Sequence, residues 1–323
     1  MEVKTWKEAW AEGPGPKSRI EYIVLMLKGF LMGIADLIPG VSGGTIAFIT
    51  GIYEHLLDAI ASVDKEFFKY LLKLDFKNAL AKIHLRFIIP VFVGIATAMV
   101  SLARLMHYLM NDHPIPTWGM FFGLIAASII VIWRQLNNHF APKNMAMIII
   151  GAAVAWVIVS LIPVSTPDDY WFIYLCGIIG ITAMILPGIS GSFLLLILGK
   201  YEYITGALKN PFAEGSLVLI LVFLCGTATG LLGFSKILNY FMKNFRETTM
   251  AFLTGILIGS MKKVWPWKEV LETKIVRGKV RVLREANIFP DHYTTETTIA
   301  FALILVGFIT VLVLESQSRK RTA

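Results

Sequence analysis

Apolar residues run along this chain in long blocks separated by short polar stretches. Crossing the hydrocarbon of a bilayer takes roughly 20 mostly apolar residues. Blocks of that size predict spans at about 87–110, 117–134, 145–163, 216–241, 248–262 and 298–315. Pro90, Pro163 and Pro266 stand near the ends of these blocks, where a lost backbone donor costs least. Two further stretches, 22–60 and 171–208, are too long for one helix, and each is broken in its middle. The first contains GIADLIPGVSGGTIAFITGIYEHL and the second GITAMILPGISGSFLLLILGKYEYI. Pro39 and Pro187 stop the incoming helix, and the glycines permit backbone angles that other residues resist. Ser42–Thr45 and Ser190–Ser192 can then begin and cap a second helix. Unpaired backbone cannot face lipid, so each break must lie against protein or a watery cavity. A re-entrant hairpin satisfies this. An arm such as 22–38 would be about 25 Å long at about 1.5 Å per residue, so a hairpin that turns at the far face is the alternative.

The chain repeats itself. At a shift of 148 residues Gly29 meets Gly177, Pro39 meets Pro187, Ser42 meets Ser190, Gly43 meets Gly191, Gly51 meets Gly199, Tyr53 meets Tyr201 and Glu54 meets Glu202. At a shift of 132 Gly94 meets Gly226, Arg104 meets Lys236, Tyr108 meets Tyr240, Gly123 meets Gly255, Ser128 meets Ser260 and Trp133 meets Trp265. The difference of 16 is an amphipathic segment present only in the first copy. Three crossings separate the two hairpins, so the second copy enters from the opposite face. That is an inverted repeat, an architecture that supports alternating access; a purely structural duplication is the competing reading. The expected fold class is all-α, a polytopic helical membrane protein with two broken hairpins. The expected organisation is a cytoplasmic arm over 1–21 and a first repeat over 22–143, with hairpin 22–60, amphipathic segment 62–86 and spans 87–110 and 117–134. A linking span over 144–170 follows. The second repeat covers 171–267, with hairpin 171–208 and spans 216–241 and 248–262. A basic external loop over 262–297 precedes the last span and tail, 298–323.

Composition agrees with the blocks. Charged residues are 16% of the chain and mean hydropathy is +0.68, where a soluble domain carries about a quarter charged residues. The net charge of +8 gathers in the N-terminal arm, in Lys65–Arg86, in Lys262–Arg284 and in Arg319-Lys320-Arg321. Basic residues that alternate with spans fit flanks on anionic headgroups and argue against a nucleic-acid partner. Loop charges put both termini in the cytoplasm, and Asn111–Pro116 and Val164–Tyr170 outside. The basic stretch 262–291 departs from this rule, since the count puts it outside; TKIVRGKVRVL within it predicts a β-hairpin turning at Gly278. The first apolar run, from about Ile20, lacks a cleavage pattern and reads as a retained segment. Cys176 and Cys225 lie in apolar runs without metal-ligand spacing.

Candidate chemistry centres on the breaks. A helix N-terminus offers unpaired N–H groups and partial positive charge, which suits an anion. Ser42, Gly43, Gly44 and Thr45 form one such end, and Ser190, Gly191 and Ser192 the other. A phosphate is the natural guest; close packing of small residues is the competing explanation. Charges inside apolar runs are expensive. Asp36 precedes the first break, and Met184 holds the partner position. Arg104 and Lys236 are repeat-related and could receive a phosphate at either face, or snorkel to headgroups. Glu54 and Glu202 could carry coupling protons or pair with cations, and Lys200 could partner a carboxylate or anchor at the interface. The histidines, among them His55, His84, His107 and His113, lack a second ligand at metal spacing. No Ser-His-Asp order, Walker loop or Asp-rich pair stands out, so neither an enzyme nor a cofactor is expected.

The string DLIPGVSGGTIAFITGIYEHLLDAI, with its echo ILPGISGSFLLLILGKYEYI, closely resembles the bacterial polyprenyl-phosphate transporter family, the undecaprenyl-phosphate flippases. The resemblance runs over about 22–315. It implies that undecaprenyl phosphate returns from the outer to the inner leaflet of the cytoplasmic membrane for reuse in peptidoglycan and other envelope polymers. The partners it implies are that lipid and the bilayer. A coupling ion, H+ or Na+, and a homodimer are compatible with the sequence. The alternative is an ion-coupled transporter of a small soluble anion; a lipid phosphatase or transferase would need a catalytic cluster that the sequence lacks.

Overall fold

The computed structural model describes residues 5–322 apart from 39–40, 139, 165, 277–278 and 291. The side chains of 274–276, 279–281, 283, 314 and 317–322 also lie outside the described set. In chain order the helices begin with α1 (Trp6–Glu12), α2 (Arg19–Asp36), α3 (Gly43–Ile49), α4 (Tyr53–Ala61), α5 (Lys65–Leu72) and α6 (Phe76–Lys82). Next come α7 (Leu85–Asp112), α8 (Pro114–Trp133), α9 (Pro142–Ser160), α10 (Tyr170–Ile185), α11 (Gly191–Ile197) and α12 (Tyr201–Lys209). After α13 (Ser216–Asn244) and α14 (Arg246–Val264), strands β1 (Lys268–Val276) and β2 (Lys279–Asn287) precede α15 (Thr295–Thr322). The protein is an all-α polytopic membrane protein. Helices α7, α8, α9, α13 and α15 are long and apolar enough to cross a bilayer. The block expected at 248–262 forms α14, which instead buries most of its length at the centre of the bundle. The strands pair antiparallel with Val276 opposite Lys279. The hairpin is therefore as expected, and its turn at Gly278 falls outside the described residues.

Local chemistry sets the boundaries. Thr5 and Glu8 form a capping box at α1. Ser18 caps α2, Asp64 caps α5, and Asp75 caps α6. Pro114 and Pro142 open α8 and α9, where the missing N–H is no loss. The hairpins differ from the expected two arms, because each has a second break. Gly51 (φ 71°) separates α3 from α4, and Gly199 (φ 66°) separates α11 from α12. Both adopt a left-handed backbone that glycine tolerates best.

Glycines fix how the helices pair. A Cβ at Gly29 would run into the Val91 carbonyl, and one at Gly33 into Ile95, so α2 and α7 run side by side in the same direction. Gly226 against Tyr174 and Gly230 against Ile178 repeat this for α10 and α13. A chain that leaves α2 must therefore return to its starting face before α7 begins. We call that the N-terminal face, and its opposite the far face. Helices α7, α8 and α9 then cross three times, so α10 starts at the far face and the second copy is upside down. One pairing was not visible in the sequence. Gly307 of α15 packs on Met120 and Leu124 of α8, while Gly151 of α9 packs on Phe252 and Ile256 of α14. These contacts correspond when α9 is shifted by 156 residues. The linking span and the last span thus occupy matching places, each against the central helix of the other copy.

Candidate functional site

The two breaks meet inside the bundle. Ser42, the N-cap of α3, donates from Oγ to the Met184 carbonyl oxygen at 2.9 Å and accepts from the Gly44 amide at 3.1 Å. Thr45 Oγ1 accepts from the Gly188 amide at 2.8 Å, and the Tyr53 hydroxyl donates to the Ile185 carbonyl at 2.9 Å. Ser42, Thr45 and Tyr53 are all buried. The first copy thus supplies partners to the end of α10, whose last carbonyls have none within their own helix. The packing leaves no space for larger residues. A Cβ at Gly44 would stand 2.7 Å from the Met184 oxygen, and one at Gly188 would stand 2.9 Å from Ser260 Oγ. Gly188 also has φ 90°. Pro39 and Gly40 lie outside the described residues.

The two tips are not equivalent. At the first, Asp36 Oδ1 accepts from the Gly43 amide at 2.6 Å, the Ser42 hydroxyl takes the Gly44 amide, and the Ser42 carbonyl takes the Thr45 amide at 2.9 Å. A carboxylate therefore already accepts from the first amide of α3, and the opening N–H groups of α3 are taken. At the second tip Met184 replaces Asp36 and packs against Gly191, while no side chain caps α11. The Ser190 and Ser192 hydroxyls bond each other at 2.8 Å. Arg104 and Lys236 are not drawn to this site. Both are exposed on α7 and α13, and among the described residues neither makes a hydrogen bond or ion pair to a tip.

Residues 32–281 match the model of the undecaprenyl phosphate translocase-like family. The chain belongs to that family. It is 39% identical over 308 residues to a polyprenyl-phosphate transporter of Vibrio cholerae, covering 93% of this chain and 98% of the relative. A polyprenyl-phosphate transporter of Staphylococcus aureus is 34% identical over 259 residues, covering 75% of this chain and 85% of that protein. No solved structure matches.

In this member of the translocase-like family Glu54 and Lys200, also named from sequence, are engaged in structural pairs. Glu54 accepts from Arg246 Nε at 3.0 Å and Nη2 at 2.8 Å, so α4 is tied to the start of α14. Nearby Asp58 pairs with Lys243 at 2.6 Å and accepts from Asn239 at 2.9 Å. Glu202 lies half-buried beside Tyr203 and Glu214. Lys200 is buried, paired with Asp168, and donates to the Thr166 carbonyl at 2.7 Å, so it is the partner of a carboxylate. Among the described residues no group of three or more His, Cys, Asp or Glu could hold a metal ion. Sequence reasoning missed Tyr53, Met184 and Gly188 as the contacts that join the tips. The repeat had flagged Tyr53, yet its counterpart Tyr201 is exposed, and only the fold separates the two roles. It also missed Arg86, buried and bonded to the carbonyls of Ala11, Gly13 and Pro16, which fastens the N-terminal arm to α7.

Proposed function

We propose that this protein carries undecaprenyl phosphate from the outer to the inner leaflet of the bacterial cytoplasmic membrane, for reuse in peptidoglycan and envelope-polymer synthesis. Both termini are then cytoplasmic, and the N-terminal face is the inner one. The observation that carries the reading is the meeting of two oppositely entering broken helices in a chain whose relatives are named polyprenyl-phosphate transporters. The phosphate travels between the tips, at Ser42, Gly43, Gly44 and Thr45 on one side and Ser190, Gly191 and Ser192 on the other, while the prenyl tail stays in lipid. Arg104 and Lys236, exposed on α7 and α13, attract the headgroup at the two surfaces. The protein performs no covalent chemistry in this scheme.

Asp36 has a defined part. Its carboxylate accepts from the Gly43 amide, and an arriving phosphate takes over that donor. Displaced, Asp36 becomes an uncompensated carboxylate beside an anion, and protonation relieves the repulsion. That supplies a route for H+ coupling through a residue without a counterpart in the second copy. Switching between faces requires α4 to part from α13 and α14, which breaks the Glu54–Arg246 and Asp58–Lys243 pairs.

The test is leaflet-resolved transfer of labelled undecaprenyl phosphate in proteoliposomes. The wild type moves the lipid between leaflets, while Ser42→Ala and Arg104→Ala lower the rate. Full transfer by both variants removes the site assignment. Uptake of inorganic phosphate into the lumen without lipid transfer points to a soluble-anion carrier instead.

A further inference from the structure

A cavity of about 400 Å³ opens at the N-terminal face between α2, α4 and the start of α7. Its volume falls within the roughly 300–1,000 Å³ of small-molecule sites. Ile20, Val24, Leu25, Ile52 and Phe87 give it apolar walls, Lys28 brings an ammonium and His55 an imidazole. Lys28 comes nine residues after the start of α2, about 14 Å along the helix at about 1.5 Å per residue. An ammonium so deep in an apolar helix is costly and marks function by default. Its Nζ donates to the Thr50 carbonyl at 2.6 Å, which fixes it beside the Gly51 break. Among the described residues, none beyond its chain neighbours places a heavy atom within 4 Å of where a Gly51 Cβ would stand, so the break opens on free space. The His55 ring stacks on Phe87 with centroids 6.1 Å apart. Glu21 also lines the cavity, but its carboxylate is taken by the Lys17 amide at 2.8 Å and the Ser18 hydroxyl at 2.9 Å.

The inverted copy provides an internal control. A cavity of about 310 Å³ lies at the far face, and it includes Tyr203 and Leu219, the counterparts of His55 and Phe87. Its ionisable side chains are Glu202, Glu214 and the two tyrosines Tyr170 and Tyr203. The position matching Lys28 is Cys176. The cavity at the N-terminal face thus holds an ammonium and an imidazole beside one hydrogen-bonded carboxylate, where its counterpart holds two carboxylates and, among the described residues, no cation.

We infer that the cavity at Lys28 and His55 is a binding site for the phosphate headgroup of a membrane lipid, whose tail lies along the exposed Ile20, Ile23 and Leu27 of α2. The buried tips form a separate position deeper in the bundle. The choice of a prenyl lipid as occupant rests on the proposed function; the headgroup chemistry does not.

Photo-crosslinking of the full-length protein in nanodiscs tests this, with a diazirine-tagged polyprenyl monophosphate as probe and adducts mapped by mass spectrometry. Adducts are expected on the α2 and α4 walls of the cavity. Lys28→Gln should lower them roughly tenfold or more, the loss of one charge-assisted hydrogen bond, and Lys28→Arg should restore them. Val24→Trp, which fills the space and keeps Lys28, should lower them equally. Competition by unlabelled polyprenyl monophosphate alone identifies a prenyl lipid, and competition by phosphatidylglycerol as well identifies a general lipid-phosphate site. Competition only by inorganic phosphate overturns the lipid assignment. Absence of cavity adducts, or adducts indifferent to both Lys28→Gln and Val24→Trp, overturns the site. If cavity labelling persists while the wild type transfers no lipid between leaflets, the transport reading fails and the site stands.

Discussion

At the N-terminal face, α4 of the first copy is bound to the second copy by two ion pairs, Glu54–Arg246 and Asp58–Lys243, and by the Asn239 amide. At the far face, α12 holds the matching place, but the residues that would supply the same ties differ. The positions that correspond to Asn239, Lys243 and Arg246 are His107, Asn111 and Pro114. His107 and Asn111 bond each other at 2.9 Å, and α12 does not pack on α7 as α4 packs on α13. One duplicated unit has thus been fastened at one end and left looser at the other. Under the proposed function, this is the arrangement closed toward the cytoplasm. The tips carry the same lesson, since Asp36 fills the first and Met184 stands at the second.

The largest difference between the copies should appear at the tip serines. Ser42→Ala leaves the Met184 carbonyl and the Gly44 amide without their partner, at about 1–3 kcal/mol per buried group. It should lower the thermal unfolding temperature in detergent clearly. Ser190→Ala removes a hydroxyl bonded to another hydroxyl and should cost less than about 1 kcal/mol. Equal shifts would erase the distinction between the tips.

The second breaks come next. Gly51 and Gly199 share a left-handed backbone, which costs a non-glycine residue about 1–2 kcal/mol. A Cβ at Gly199 would in addition stand 2.7 Å from the Val164 carbonyl oxygen, whereas Gly51 faces open space. Gly199→Ala should therefore destabilise more than Gly51→Ala by about 1–3 kcal/mol, the cost of overpacking, as read from unfolding in detergent.

The ion pairs should have a smaller effect. Exposed pairs are worth about 0.2–1 kcal/mol each, so Arg246→Glu should raise the open population at the N-terminal face only a few-fold. The readout is thiol labelling at Leu57→Cys, a position on the buried face of α4. Labelling should return toward the parent level in the Glu54→Arg, Arg246→Glu pair. Failure of the reversed pair to restore it would mean that α4 is held by packing alone.

The least effect is expected at the far-face hairpin. Burial and the neighbouring Lys263 pull the Lys268 ammonium down to about 8, although Glu285 pairs with it at 3.2 Å. A lysine whose folded value lies below its unfolded value binds fewer protons folded than unfolded between the two, so stability rises with pH across that window. The Lys268 contribution to hairpin protection should increase from pH 8 toward 10.5. Hydrogen exchange corrected for intrinsic rates should show this, and Lys268→Met should flatten the dependence.

The features that could be read from the sequence are those written in consecutive residues. Apolar blocks marked the spans, Pro-Gly-x-Ser-Gly marked the breaks, and TKIVRGKVRVL marked the hairpin. The partnership of α9 with α14 and of α15 with α8 was hidden, because it rests on backbone contacts at Gly151, Gly255 and Gly307 between segments far apart in the chain. The second breaks were hidden because one glycine in an apolar run is compatible with a continuous helix. At the site, the serines, glycines and Asp36 were named correctly as neighbours of the breaks. Their partners were not, since Met184 and Ile185 contribute carbonyl oxygens, and a backbone acceptor leaves no mark on residue type.

The central claim is that Asp36 and the phosphate of the proposed substrate compete for the Gly43 amide. The most direct measurement is the affinity of purified wild type and Asp36→Ala for a polyprenyl monophosphate, under identical conditions. Removing a competing carboxylate frees the Gly43 amide, so Asp36→Ala should bind about tenfold more tightly, one charge-assisted hydrogen bond gained by the ligand. An unchanged or weaker affinity would contradict the account.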